Sequence, residues 1–199
     1  MTDFAALFRL FGATDPVMMG KEADEHFQTF GLVEPLRVAH WFGQFSVESR
    51  GFTTFEENLN YSADRLTKVF PARFPTLASA TPCEHNPQAF ANRVYGGRMG
   101  NVQPGDGYRF RGRGPGLTGR DNYTAAAKST NLALVSNPDL AAKPENFVIL
   151  AGDYWERKGC NAAADADNLV LVTKLVNGGS IGIQERRQGV ERAKKVLMP

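Results

Sequence analysis

Helix-starting and helix-stopping residues bracket nearly every apolar segment of this chain, and that punctuation leaves little room for strands. Asp15-Pro16 reads as an N-cap followed by the first helical residue, and Gly31 closes the segment that carries Phe27 and Phe30. Pro35 opens a second helix through Trp41, Phe42 and Phe45 that ends before Gly51. Ser62 caps Ala63 to Phe70 with Pro71 as the stop, and Asn86-Pro87 starts a helix through Phe90 and Val94. Pro144 opens a helix carrying Phe147, Leu150, Tyr154 and Trp155 that Gly159 ends, and Asp167 to Val176 and Gln184 to Leu197 complete the set. Period-two alternation is nearly absent. The expected fold class is all-α, or mainly helical α+β at most, with no more than a small hairpin.

One stretch breaks the pattern. Between Tyr95 and Arg120, glycines 96, 97, 100, 105, 107, 112, 114, 116 and 119 are interleaved with Arg98, Tyr108, Arg109, Phe110, Arg111 and Arg113. So much glycine excludes a long helix and predicts an ordered loop or short hairpin, and ordered loops of that length usually carry function. Its Arg109-Phe110-Arg111-Gly112-Arg113-Gly114 segment has the makings of a base-stacking arm. A net charge of +2 over 199 residues is too small for that role, so no nucleic-acid partner is expected.

The chain is expected to form a single catalytic domain over residues 1–199, since 42% hydrophobic and 22% charged residues suit one compact core and no linker interrupts it. The start, Met1 to Arg9, lacks the basic and apolar regions of a secretory signal, and no run approaches the roughly 20 apolar residues of a spanning helix. Membrane insertion is therefore not expected. Cys83 and Cys160 read as two free thiols. Cys83-Glu84-His85 lacks the usual four ligands, so no metal and no cofactor are expected.

Two carboxylates carry candidate chemistry. Glu48 stands at i+3 from Phe45 and i+7 from Trp41, on the aromatic face of its helix. A carboxyl against aromatic surface is desolvated, favouring the protonated form that a general acid requires. The bland alternative is a last-turn Glu that reaches out to water. Beyond the break at Gly51, Glu57 follows in Phe55-Glu56-Glu57-Asn58, where it can face the first carboxylate as in glycoside hydrolysis. On its own, the Glu56-Glu57 pair reads as solvated loop charge.

Gln44 to Phe52 followed by Glu57-Asn58-Leu59-Asn60-Tyr61-Ser62 resembles the start of the glycoside hydrolase family 19 catalytic domain, in its phage and prophage endolysin branch more than in plant chitinases. The resemblance continues through Ala91 to Asn101, Gly107 to Pro115, Leu117 to Arg120 with Asn122-Tyr123, Val176 to Gly179, and Glu185-Arg186-Arg187. It implies a lysozyme-like fold of two helical lobes, the smaller over roughly 58–115, with a cleft between them. It implies Glu48 as general acid, Glu57 as the general base that activates water, and Thr118 as the hydroxyl that holds this water. Tyr61, Arg98, Asn101, Tyr108, Asn122, Asn177 and Arg186 are the implied substrate-contacting or carboxylate-tuning residues. The resemblance gives Glu56 no catalytic role and implies that Glu56→Gln retains most activity, because the family pattern selects the Glu directly before Asn58. The reaction implied is inverting, with carboxyls roughly 6.5–9.5 Å apart. This sequence departs from the pattern at Val47, where many relatives have His, at Arg50, where Gly is usual, and at Gly114 to Thr118, which is one residue shorter and lacks a Gln.

The expected activity is that of an endolysin cutting the β-1,4 bonds of peptidoglycan, with chitin hydrolysis as the alternative. A wall-binding module with a dead site would not need both Glu48 and Glu57. The arginines at 98, 109, 111 and 113 are expected to set positive charge near the site, attracting the acidic peptides of murein. The protein is expected to be a monomer, held in the host cytoplasm until a holin releases it to the wall.

Overall fold

The computed structural model describes residues 2–199. In chain order the helices are α1 (Phe4–Phe11), α2 (Pro16–His26), α3 (Pro35–Glu48), α4 (Ala63–Val69), α5 (Leu77–Ala80), α6 (Pro87–Tyr95) and α7 (Asp106–Arg109). After these come α8 (Arg120–Thr130), α9 (Pro144–Arg157), α10 (Cys160–Asp165), α11 (Leu169–Asn177) and α12 (Ile183–Leu197). Among the described residues the strand-like pairings are the isolated bridges Glu56 to Arg113 and Arg113 to Leu117. The mainly helical class read from the sequence is the one observed.

The capping signals account for the starts. Asp15, Ser62, Asn86 and Asn168 each accept a backbone N–H of the first turn, and prolines occupy the opening turns of α2, α3, α6 and α9. The segment expected to run to Gly31 instead changes to a 3-10 turn at Phe27–Phe30, which Gly31 closes at φ +67°. The last-but-one long helix begins at Leu169 rather than Asp167. Asp167 sits at φ +50°, its carboxylate held by the buried His40 Nε2 at 2.8 Å and by Lys194 Nζ at 2.6 Å.

The chain forms two compact units, Met1–Phe55 with Ala141–Pro199, and Glu56–Leu140 as an insertion between those segments. The inserted unit runs past residue 115 because side chains tie residues 120–139 to the glycine-rich stretch. Tyr123 donates from its hydroxyl to the Arg111 carbonyl at 2.9 Å, and Arg113 Nη2 reaches Asp139 at 2.5 Å. Its core is Leu59, Leu66, Phe74, Phe90 and Val94 with Tyr61 and Phe70 packed alongside.

The larger unit is organised around α3, in which every residue from Val38 to Ser46 is buried, so it is a central helix rather than an amphipathic surface one. Trp41, Phe42 and Phe45 meet Phe8, Phe27, Phe52 and Phe147 at ring-centroid separations of 4.8–6.5 Å. Against α3 lies α12, close enough for the backbones to touch. A Cβ on Gly43 would stand 2.9 Å from the Val190 amide nitrogen, and one on Gly189 would stand 2.9 Å from the Gly43 Cα. That contact brings Arg186, one turn earlier on α12, beside Gln44 and Glu48.

After α3 the backbone enters the left-handed region for three residues running: Arg50 at φ +52°, Gly51 at +75° and Phe52 at +62°. Ser49 holds the turn, its hydroxyl donating to the Phe45 carbonyl at 2.6 Å and accepting the Phe52 amide at 2.9 Å. Left-handed conformation costs a residue with a side chain roughly 1–2 kcal/mol. Full burial of the Phe52 ring against Trp41 and Phe8 returns about 2–3 kcal/mol plus ring-pair terms, so packing outweighs strain there. The exposed Arg50 side chain brings no such return. The usual Gly at this position therefore has a backbone reason. Arg50→Gly is expected to stabilise the fold by about 1 kcal/mol, read as a higher denaturation midpoint in urea; an unchanged or lower midpoint would refute the strain.

Candidate active site

Glu48 ends α3, and its carboxylate is gripped from α12 and approached from α11. Arg186 Nη2 donates to Oε1 at 2.5 Å, and Asn177 Nδ2 approaches the same oxygen at 3.5 Å. Arg186 is only 2% exposed, and each of its nitrogens is directed. Nη1 donates to Gln44 Oε1 at 2.7 Å and Nε to the Ile181 carbonyl at 3.1 Å. Gln44, wholly buried, is fixed in turn by Thr173, whose hydroxyl accepts from Nε2 at 3.1 Å. Three helices thus hold one carboxylate through a planar guanidinium, a geometry an ammonium group cannot reproduce.

The expected desolvation of Glu48 by aromatic rings is corrected here. Trp41 and Phe45 are fully buried, but Glu48 is exposed, its side chain 30% accessible. Helical spacing chose the right face, yet burial ends at Ser46, and the last turn of α3 has left the core behind. Nearby Tyr154, half-buried, donates to the Val176 carbonyl at 2.8 Å. Its phenol is pushed above the ordinary value by burial and then by the negative charge of Glu48.

Glu57 belongs to the inserted unit and is half-buried. Its Oε2 accepts the Tyr95 hydroxyl at 2.7 Å, and its Oε1 accepts the Gly112 amide at 2.5 Å. Its own amide donates to the Gly112 carbonyl at 3.0 Å. Gly112 is required for this approach, since a Cβ there would lie 2.8 Å from the Glu57 Cδ. Burial, then the charge of Glu57, raises the Tyr95 phenol far above its usual range, so Tyr95 stays a proton donor to that carboxylate. The buried Asn101 supports the arrangement, donating to the Tyr95 carbonyl at 3.0 Å and accepting the Arg120 amide at 2.9 Å.

Several residues expected to contact substrate are engaged otherwise. Asn101 and Arg186 are 1% and 2% exposed, so both position other groups instead of touching a ligand directly. The Tyr61 ring packs on Phe70 and Phe90 in the core of the inserted unit. Tyr108 lies beneath the Arg111 guanidinium, 4.2 Å from the ring centroid. Asn122, exposed, turns its amide back to the Thr118 carbonyl at 2.7 Å, which places it beside the half-buried Thr118.

The expected cationic patch is also corrected. Arg111 pairs with Glu56, Arg113 is buried against Asp139 and Glu56, and Arg109 donates to the Val135 and Ser136 carbonyls at 3.0 Å. Of the four loop arginines, Arg98 is exposed with a single long contact, 3.5 Å to the Val94 carbonyl. Interleaving with glycine made the others look solvated, whereas each neutralises an acid or caps carbonyls that the irregular backbone leaves open.

Reading the sequence missed Gln44, Thr173, Tyr95 and Gly112. Gln44 stands four residues before Glu48 among apolar neighbours, and a buried amide there signals a polar partner. Thr173 and Asn177 share that four-residue spacing on α11. Tyr95 and Gly112 carry no such mark, because only folding brings them to Glu57. Cys83, Glu84 and His85 hold no metal cluster: Glu84 accepts the Ala63 amide at 3.0 Å, and His85 Nδ1 lies 2.6 Å from Asn60 Oδ1. Among the described residues no group of three or more His, Cys, Asp or Glu has a metal-holding arrangement, and no helix is long and apolar enough to cross a membrane. Both cysteines are buried free thiols.

No family-wide sequence profile matches the chain. A protein of Haemophilus influenzae strain Rd described as a glycosyl hydrolase family 19 domain-containing protein is 38% identical over 159 residues, covering 78% of each chain. Among solved structures, chitinase C from Streptomyces griseus HUT6037 is similar at a TM-score of 0.63 and 18% identity, over 99% of this chain and 78% of that one. The second likeness shows a shared fold, and the first carries the assignment. With more than a third of positions identical over most of both proteins, this chain belongs to glycoside hydrolase family 19 and is a glycoside hydrolase.

Proposed function

We propose that this enzyme is an endolysin that cuts the β-1,4 glycosidic bonds of peptidoglycan. In this reading Glu48 protonates the leaving glycosidic oxygen, and Glu57 takes a proton from the water that attacks the anomeric carbon. The bond to the leaving sugar breaks as the bond to water forms, and the anomeric configuration inverts. The observation that carries the proposal is the separate gripping of two carboxylates. Glu48 is fixed by Arg186 with Asn177 close by, and Glu57 by Tyr95 and the Gly112 amide. Thr118, with Asn122 beside it, is the proposed holder of the attacking water.

Murein as substrate rests on the likeness of the Glu57 and Gly96-Gly97-Arg98 blocks to endolysins, and the release from the host cytoplasm through a holin and the monomeric state belong to the same proposal. A second reading, chitin hydrolysis, is favoured by the fold shared with a chitinase. Both polymers are β-1,4-linked amino-sugar chains, so the same carboxylates serve either. The deciding experiment compares turbidity loss of outer-membrane-permeabilised Gram-negative cells with reducing-sugar release from soluble chitin at matched enzyme. Lysis of the cells with slow chitin cleavage is expected. Because only Arg98 of the four loop arginines stands free of acids and strong carbonyl contacts, lysis should weaken only mildly as salt rises. Efficient chitin cleavage with the cells left turbid would reverse the two readings.

A further inference from the structure

We infer that Glu56 is a positioning residue for the reaction, acting through the strap Arg111-Gly112-Arg113 that clamps Glu57; the inference rests on the role proposed for Glu57. The backbone carries the first half of the case. Glu56 and Arg113 form an antiparallel bridge, and between Arg113 and Arg111 stands Gly112, which both donates to the Glu57 carboxylate and accepts the Glu57 amide. The geometry of that clamp depends on where the strap lies. Gly112 cannot fix it alone, having no side chain to pack.

The side chains carry the second half. Glu56 pairs with Arg111 Nε and lies 3.6 Å from Arg113 Nε, so one carboxylate holds the residues on both sides of Gly112. Arg113 has a 1% exposed side chain, and its Nε has no hydrogen-bond partner, which leaves the nearby Glu56 charge as the group that compensates it. Asp139 holds the far end of Arg113 at 2.5 Å, and Tyr123 accepts from Arg113 Nη1 at 3.3 Å while donating to the Arg111 carbonyl. Burial pushes the Tyr123 phenol up to about 12, so it remains a donor throughout the working pH range. Without Glu56 the strap keeps its distal anchors and the backbone bond from the Glu57 amide, but loses its side-chain anchor on the Glu57 side. The Gly112 N–H then no longer points steadily at the base, and misplacement of a catalytic group by about 1 Å costs on the order of 10²-fold in rate.

The test is steady-state kinetics of Glu56→Ala and Glu56→Gln on whichever polymer the wild-type enzyme cuts, beside Glu57→Gln. Each variant is paired with an NMR measurement of the Gly112 amide, by shift and hydrogen-exchange protection. Glu56→Ala is expected to lower kcat at least ten-fold with KM within two-fold, and to move and deprotect the Gly112 amide. Glu56→Gln, which keeps an oxygen for Arg111 but no charge, should recover part of both. A merely structural role would change the folded fraction and leave kcat per folded molecule intact, with the amide unmoved; that result, or wild-type kcat in Glu56→Ala, would overturn the inference. Should Glu56→Ala prove too unstable, Glu56→Gln alone decides, since wild-type kcat with an unmoved Gly112 amide would be equally fatal. Full activity of Glu57→Gln would instead refute the role of Glu57 itself, so the two failures are distinguishable.

Discussion

Glu48→Gln and Glu57→Gln are each expected to reduce hydrolysis by about 10³-fold or more, within the range that general acid or base catalysis contributes. Glutamine keeps the shape of either side chain but removes the proton traffic. It also keeps an oxygen for Arg186 at position 48 and one for the Gly112 amide at position 57, where the Tyr95 hydroxyl has to turn and accept from the new amide group. Circular dichroism and melting should therefore stay close to wild type, and this separates lost chemistry from lost fold. The two variants report different steps. Glu48→Gln is expected to retain some cleavage of substrates with good leaving groups, which need little protonation, whereas Glu57→Gln should stay slow on all of them and respond to added small anions such as azide. Wild-type turnover by either variant would refute the assignment of that carboxylate.

Arg186→Met is expected to cost both stability and rate. Methionine fills most of the volume, but it leaves Gln44 Oε1 and the Ile181 carbonyl without their donor. A buried acceptor left unpaired costs about 1–3 kcal/mol; Gln44 is wholly buried, whereas the exposed Ile181 can turn to water, so a loss of about 2 kcal/mol is expected in urea unfolding. Activity per folded molecule should also fall about 10²-fold, because Glu48 loses its strongest contact and Asn177 at 3.5 Å is too distant to hold it. Arg186→Lys should recover little of either, since one ammonium cannot reach Gln44, Ile181 and Glu48 with the same spread of directions. Wild-type kcat in folded Arg186→Met would show that Glu48 needs no such support.

Local chemistry that does not depend on the rest of the fold was legible along the chain. Asp15-Pro16, Ser62, Asn86-Pro87 and Pro144 start helices wherever they stand, because capping needs only the next three residues. Where those local marks are absent, helices escaped notice. Gly119 and Gly159 precede α8 and α10 without any side-chain cap, and α8 buries only Tyr123, Ala126 and Thr130. In α1 the spacing of Phe4, Leu7, Phe8 and Phe11 marks an amphipathic helix, a signal present in the sequence but not exploited as one.

The site divides along the same line. The two carboxylates, Asn177 and Arg186 were identifiable by type and order, since the family resemblance is written in the sequence itself. The surroundings of each were not. Whether Glu48 is buried depends on where the core around α3 ends, and that limit is set by α12, whose approach is governed by Gly43 and Gly189. Whether an arginine is free or spent depends on acids far along the chain: Glu56 lies 55 residues from Arg111, and Asp139 lies 26 from Arg113. A carboxylate's sequence position gives its chemical type, which is a covalent property. Its hydration, its partners and its orientation are properties of the groups that tertiary packing brings within about 3 Å, and hydrogen bonds decay too steeply with distance and angle for spacing alone to reveal them.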